Sequence, residues 1–194
     1  MIFTFLVTHR GSGGDLLCKS LNDNLRICSL GRSDVIYDHP SQLIDFKNKC
    51  NLISGRKIAD AECYIDHIIY NHQIVSKSFY DICKFIYLIR EPIGSLQEII
   101  NSGYNISSAE NYYLFRLRRI CEMITKTPKC VFITYDDLIS NKIKKLEDLL
   151  ELKLNLDIKS DEILIDIPHS IVNNCKKAYE KYFNYLMANQ VCFC

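Results

Sequence analysis

The chain carries almost no net charge. Its 24 lysines and arginines stand against 23 aspartates and glutamates, a formal value of +1. A nucleic-acid-binding domain is marked by a basic excess, so nucleic acid is not expected as a partner and any anion site must be local. No apolar run approaches the roughly 20 residues that cross a bilayer, so no transmembrane segment is expected. The chain holds 10 cysteines but no Cys-x-x-Cys pair, so the usual zinc spacing is missing and no metal is expected. No internal repeat and no linker-like stretch interrupts the sequence, which leaves 1–194 as one domain. Two phosphate-site signatures are also absent. There is no Gly-x4-Gly-Lys-Ser/Thr of the nucleotide hydrolases and no Gly-x-Gly-x-x-Gly of the dinucleotide folds.

What is present is an ordinary globular composition, 48% hydrophobic and 24% charged over 194 residues, enough for a substantial core. The cysteines sit singly inside apolar segments, as at Cys18, Cys63, Cys83, Cys121 and Cys130. With no signal peptide ahead of the first strand, they read as buried free thiols in a reducing compartment, and a cytoplasmic location is expected. The Asn105-Ile106-Ser107 sequon is then idle. The Cys192-Phe193-Cys194 ending has the form of a prenylation tail, with nothing else in the sequence to support lipidation.

Apolar runs rich in β-branched and aromatic residues at Met1–Thr8, Phe85–Ile89 and Cys130–Tyr135 predict strands buried on both faces. Leu25–Leu30 and Lys57–Asp60 predict two shorter strands. Between them the spacing predicts helices from Leu16, from Ser41 through Lys49, over Tyr64–Tyr80, from Pro92 to about Ile100, over Ala109–Thr125, over Lys142–Leu152 and over Ile171–Met187. A turn is expected at Asp136–Leu138, and Ile163–Ile167 fits neither pattern. Alternation of strands with helices predicts an α/β fold: a three-layer sandwich around a mainly parallel sheet, like the phosphate-loop nucleotide hydrolases.

The first strand runs directly into His9-Arg10-Gly11-Ser12-Gly13-Gly14-Asp15 and then into a helix. Strand, glycine-rich turn and helix is the layout of an anion cradle. Glycines let backbone amides close on the anion, and the helix aims its positive end at it. Arg10 adds a planar donor fork suited to phosphate or sulfate. A merely tight βα turn is the competing reading.

Three segments in order resemble the sulfotransferase superfamily. Thr8-His9-Arg10-Gly11-Ser12-Gly13-Gly14 resembles its 5′-phosphosulfate loop, with Arg10 on the basic position. Lys84–Ile89 followed by Arg90-Glu91-Pro92 resembles its strand ending in Arg-Asp/Glu-Pro. Phe132-Ile133-Thr134-Tyr135-Asp136-Asp137-Leu138 resembles its strand followed by Tyr-Glu/Asp-Asp-Leu. The resemblance implies a phosphate-loop-type fold. It also implies transfer of a sulfuryl group from 3′-phosphoadenosine 5′-phosphosulfate (PAPS) to a hydroxyl or amine, on a small-molecule or glycan acceptor. It makes Arg10, Gly11, Ser12, Gly13, Gly14 and Asp15 the donor loop, and Arg90 the grip on the 3′-phosphate. The family's partner serine lies eight residues after that arginine, where this chain has Glu98; Ser95, one helical turn earlier, is the substitute.

Sulfuryl transfer also needs a base for the acceptor's proton. In the family it commonly follows the strand before the arginine strand, which points to Asp60, with Glu62, His67 and His72 as rivals. Asp60 and Arg10 are thus the expected catalytic residues. The family's lysine beside the base is missing: Ala61 follows Asp60, and Lys57 lies three residues before it. Arg116, Arg118 and Arg119 read as a solvated helix face, or as the wall of a groove for an acidic acceptor; Tyr112, Tyr113 and Phe115 read as core. An atypical kinase and a sulfotransferase fold without turnover remain as alternatives, the second favoured by Glu98, the missing lysine and a length short for the family.

Overall fold

Two of the three apolar runs become central strands of a sheet, and the third, at Cys130–Tyr135, supplies one of its edges. The computed structural model describes residues 1–53, 61–158 and 166–188. In chain order its elements are β1 (Ile2–Thr8), α1 (Gly14–Leu21), β2 (Ile27–Ser29), α2 (Ser41–Ile53), β3 (Cys63–Ile68), α3 (Phe79–Ile82) and β4 (Lys84–Ile89). They continue with α4 (Pro92–Asn101), α5 (Ile106–Ile124), β5 (Cys130–Thr134), α6 (Tyr135–Ile139), α7 (Lys144–Leu150) and α8 (His169–Ala188). The strands pair in parallel in the order β2-β3-β1-β4-β5.

Helices cover both faces, which is why β1 and β4 carry apolar side chains at most positions. On β1, Phe5 and Val7 pack toward α4, α5 and α8, while Leu6 packs toward α1, α6 and α7. β4 repeats the division, with Phe85, Tyr87 and Ile89 on the first face and Ile86 and Leu88 on the second. This is the three-layer α/β sandwich expected. No helix among the described residues is long and apolar enough to cross a membrane. The eight described cysteines are all buried and unbridged.

One expected helix is a strand. Tyr64–Tyr80 begins inside β3, and only Phe79–Ile82 at its far end is helical. Asp66 and His67 interrupt the apolar run and mimic helical spacing. Both are buried all the same, because each finds partners at the sheet's carboxyl end. The expected turn at Asp136–Leu138 is the short helix α6, closed by a capping box in which Thr134 and Asp137 bond each other's backbone amides. The expected strand Lys57–Asp60 lies outside the described residues.

The topology also fixes where a ligand can enter. The connection from β1 leads toward β2, and that from β4 toward β5, so these neighbouring strands part at their carboxyl ends. In parallel sheets the crevice at such a divergence is the usual binding site. Register brings the ends level: Val7 pairs with Ile68, Thr8 with Leu88, and Ile89 with Thr134.

Candidate functional site

The loop after β1 has the backbone its glycines predict. Gly11 (φ +73°) and Gly13 (φ +88°) lie in the left-handed region, where a side chain is strained. Gly14 is bare for a different reason: a Cβ there would run into the His67 ring and come within 3.1 Å of Thr8 Cγ2. Gly13 caps α1, so the first-turn amides of Gly14, Asp15 and Leu16 have no acceptor one turn back and point out of the helix end. Ser12 does not join them. Its side chain is buried, and its hydroxyl donates to His9 O at 2.7 Å.

The loop's root is tied to the arginine strand. His9 is fully buried; its Nδ1–H donates to Arg10 O at 2.8 Å and its Nε2 accepts the Arg90 amide at 3.1 Å. Burial lowers its pKa to about 4, so the ring is neutral. Arg90 Nη1 donates to Gly11 O at 3.3 Å, and the guanidinium lies 3.9 Å from the centroid of the Tyr135 ring. Gly94 makes room for it, since a Cβ there would approach the guanidinium to 2.5 Å. Glu91 does not pair with Arg90. It caps α4, accepting from the Ile93 and Gly94 amides at 2.8 Å each.

Arg10 is held by tyrosines. Its Nη2 donates to Tyr70 Oη at 2.7 Å, its amide donates to Tyr112 Oη at 3.1 Å, and its guanidinium carbon lies 5.8 and 5.7 Å from the Tyr70 and Tyr104 ring centroids. Its Nε–H is buried without a partner among the described residues.

His67 closes the arrangement from β3. Its Nδ1–H donates to Asp15 Oδ1 at 3.0 Å, and its Nε2 accepts from Thr8 Oγ1 at 2.7 Å. The His67 hydrogen bond holds the Asp15 carboxyl below its ordinary pKa, while burial lowers that of the imidazole. Asp15 Oδ2 also accepts from Arg32 Nη2 at 3.1 Å. A cleft of about 300 Å³ joins these groups; His9, Arg10, Gly11, Gly14, His67 and Arg90 all line it.

The expected site residues therefore divide. Arg10, Gly11, Gly13, Gly14, Asp15 and Arg90 come together on the cleft. Ser12 and Ser95 are not on it; Ser95 is fully buried and its hydroxyl donates to Glu91 O at 2.9 Å. Asp60 lies outside the described residues. Glu62 sits at the amino end of β3, ion-paired with Arg26. His72 is exposed and stacks on Tyr70. Arg116, read as solvated, is 1% exposed and donates to Thr8 O (2.7 Å), Ile68 O (2.8 Å) and Asn71 Oδ1. Of the three aromatics read as core, Tyr113 is buried, Tyr112 braces the loop and Phe115 is 61% exposed. Sequence reasoning missed His9, Arg32 and the bracing role of Tyr70. No periodicity marks them, because each depends on which strand ends meet.

No family model and no curated protein matches the sequence. Solved structures do resemble the fold. A sulfotransferase from Alicyclobacillus acidocaldarius superposes with a TM-score of 0.59 at 9% identity, over 97% of this chain and 95% of that one. Mouse sulfotransferase SULT7A1, solved in complex with PAP, gives 0.54 at 14% identity, over 97% of this chain and 85% of that one. The chain has the sulfotransferase fold.

Proposed function

We propose that this protein is a sulfotransferase that moves a sulfuryl group from PAPS to an acceptor hydroxyl or amine, with carbohydrate among the acceptors. One observation carries the reading: a single cleft joins the glycine loop, Arg10, Arg90 and a neutral buried histidine. The loop end suits a phosphosulfate on two counts. The first-turn amides of α1 are unsatisfied within the helix, and the Arg10 Nε–H is a buried donor without a partner. Arg90 is the cation placed for a second phosphate. The donor supplies an electrophilic sulfur and a phosphate leaving group.

The chain's own residues supply charge, alignment and proton transfer. Arg10 and the loop amides offset negative charge where the sulfur–oxygen bond to phosphate breaks. As the acceptor oxygen bonds to sulfur, its proton passes to His67 Nε2, once the Thr8 hydroxyl that donates to that nitrogen has turned away. Asp15 fixes the proton on Nδ1, which leaves Nε2 as the basic nitrogen. Thus His67 on β3, the strand that precedes the arginine strand, takes the role that sequence alone assigned first to Asp60.

Transfer of labelled sulfate from PAPS to an extract of cellular glycans and lipids tests the proposal, with thermal shift by adenosine 3′,5′-bisphosphate (PAP) beside it. Arg90→Ala is expected to abolish the shift, and His67→Asn to cut transfer by about 10²-fold while leaving the shift in place. A larger shift with ATP and magnesium points to the kinase alternative. A shift without transfer to any acceptor points to a binding protein on the same fold.

A further inference from the structure

The cleft also reaches α4, whose side chains the proposed chemistry does not use. Glu98, on the second turn of α4, lines it together with Gly11, Arg90 and Ser102. The Glu98 stem stands against the loop, so close that a Cβ on Gly11 would meet Glu98 Cβ at 2.8 Å. Arg90 donates to the carbonyl of that same glycine. Arginine and carboxylate thus flank one residue. The carboxylate is exposed and has no hydrogen bond or ion pair among the described residues. The neighbouring hydroxyls are not available: Ser95 Oγ donates to Glu91 O, and Ser102 Oγ to Ile99 O. Here α4 offers an incoming ligand an acceptor, not a donor.

An anion on Arg90 therefore faces a fixed negative charge, whereas a hydroxyl there has an acceptor. A carboxylate beside a phosphate loop is how many nucleotide sites hold a ribose diol. We infer that Glu98 sets what the bound nucleotide carries on its ribose: nucleoside 5′-phosphosulfates with free 2′- and 3′-hydroxyls bind at least as tightly as those with a 3′-phosphate. The inference rests on the nucleotide reading above and widens its donor to nucleotides that lack the 3′-phosphate.

Calorimetric titration of the full chain with AMP and with PAP, neither of which can react, tests it. Wild type is expected to bind AMP at least as tightly as PAP. Glu98→Gln keeps the shape and removes the charge; Glu98→Ser removes both. Each is expected to tighten PAP about tenfold, the effect of lifting one nearby like charge in a partly screened cleft, while AMP binding holds or weakens. Tighter binding of PAP than AMP by wild type, with the ratio unmoved in both variants, overturns the inference and leaves the proposed function standing. Binding of neither nucleotide removes the proposed function, and this inference with it.

Discussion

The two ends of the sheet solve electrostatics differently, although the partly exposed Arg32–Asp15 pair lies at the carboxyl end. At the amino end, charges pair near the surface: Arg26 with Glu62, both about half exposed, and the largely buried Lys84 with the exposed Glu151. At the carboxyl end Thr8, His9, Asp66, His67, Arg90 and Arg116 are all buried. Arg116 meets two carbonyls and an amide rather than a carboxylate. Exposed pairs contribute little to stability, and buried polar groups are costly unless fully bonded. The fold is therefore held by the apolar layers between the two ends. The carboxyl-end network costs stability and gives geometry, since it fixes the loop after β1 against the ends of β3 and β4.

The comparison breaks most visibly at Arg116. Replacement by Ala leaves Thr8 O, Ile68 O and Asn71 without their donor inside the protein. A loss of about 3–5 kcal/mol is expected in denaturant unfolding. Because Thr8 and Ile68 end the two strands that carry the loop and His67, any nucleotide-induced rise in melting temperature should shrink as well. A cost below about 1 kcal/mol, in the range of an exposed pair, would put the two ends on an equal footing.

Titration sharpens the same contrast, because two buried groups oppose each other. His9 falls from an ordinary 6.5 to about 4 on burial. Between those values the unfolded chain holds a proton that the folded ring refuses. Its share of stability is present above pH 6.5 and lost as pH falls through 4, about 3 kcal/mol in all. Asp66, bonded by Ser33 and Tyr37, rises from 3.8 to about 6 because it is buried. There the folded chain holds the extra proton, so its share is present at low pH and lost as pH rises through 6, again about 3 kcal/mol. The two nearly offset each other between pH 4 and 6. Asp66→Asn removes one side, so its melting temperature should fall with acid more steeply than that of wild type. Equal slopes would show that Asp66 does not titrate in that range.

These residues also mark how far the sequence could be read. β1, β4 and β5 were legible because a strand buried on both faces must be apolar throughout, and that pattern survives in one dimension. The glycine loop was legible because left-handed backbone at Gly11 and Gly13 demands glycine. β3 was not, since Asp66 and His67 break its apolar run and their partners, Ser33, Tyr37, Thr8 and Asp15, come from other elements. Arg116 was misread for another reason: nearness in sequence groups it with Arg118 and Arg119, whereas helical spacing sets it on the buried face with Tyr113 and Ile120, and only the sheet's parting ends show what its guanidinium meets. Ser95 shows the converse. It stood in for the motif serine whose position Glu98 occupies, but inside a helix its hydroxyl bonds the preceding turn.

The smallest expected effect is at the amino end, and it separates the ends most cleanly. Glu62 was a rival for the catalytic base. Arg26 Nε donates to its Oε1 at 2.8 Å, and this pairing holds its pKa below the ordinary carboxylate value, so it is ionised at neutral pH and in charge alone suits a base. Its position argues against the role. It precedes β3, whose opposite end carries His67, and strand rise puts the six residues of β3 about 17–20 Å long. No proton passes directly over that distance within one chemical step. Glu62→Gln breaks only a half-exposed ion pair, so the melting temperature should hold, and sulfate transfer should match wild type in rate and pH profile. A collapse in transfer with the fold intact would relocate the chemistry to the other end of the sheet.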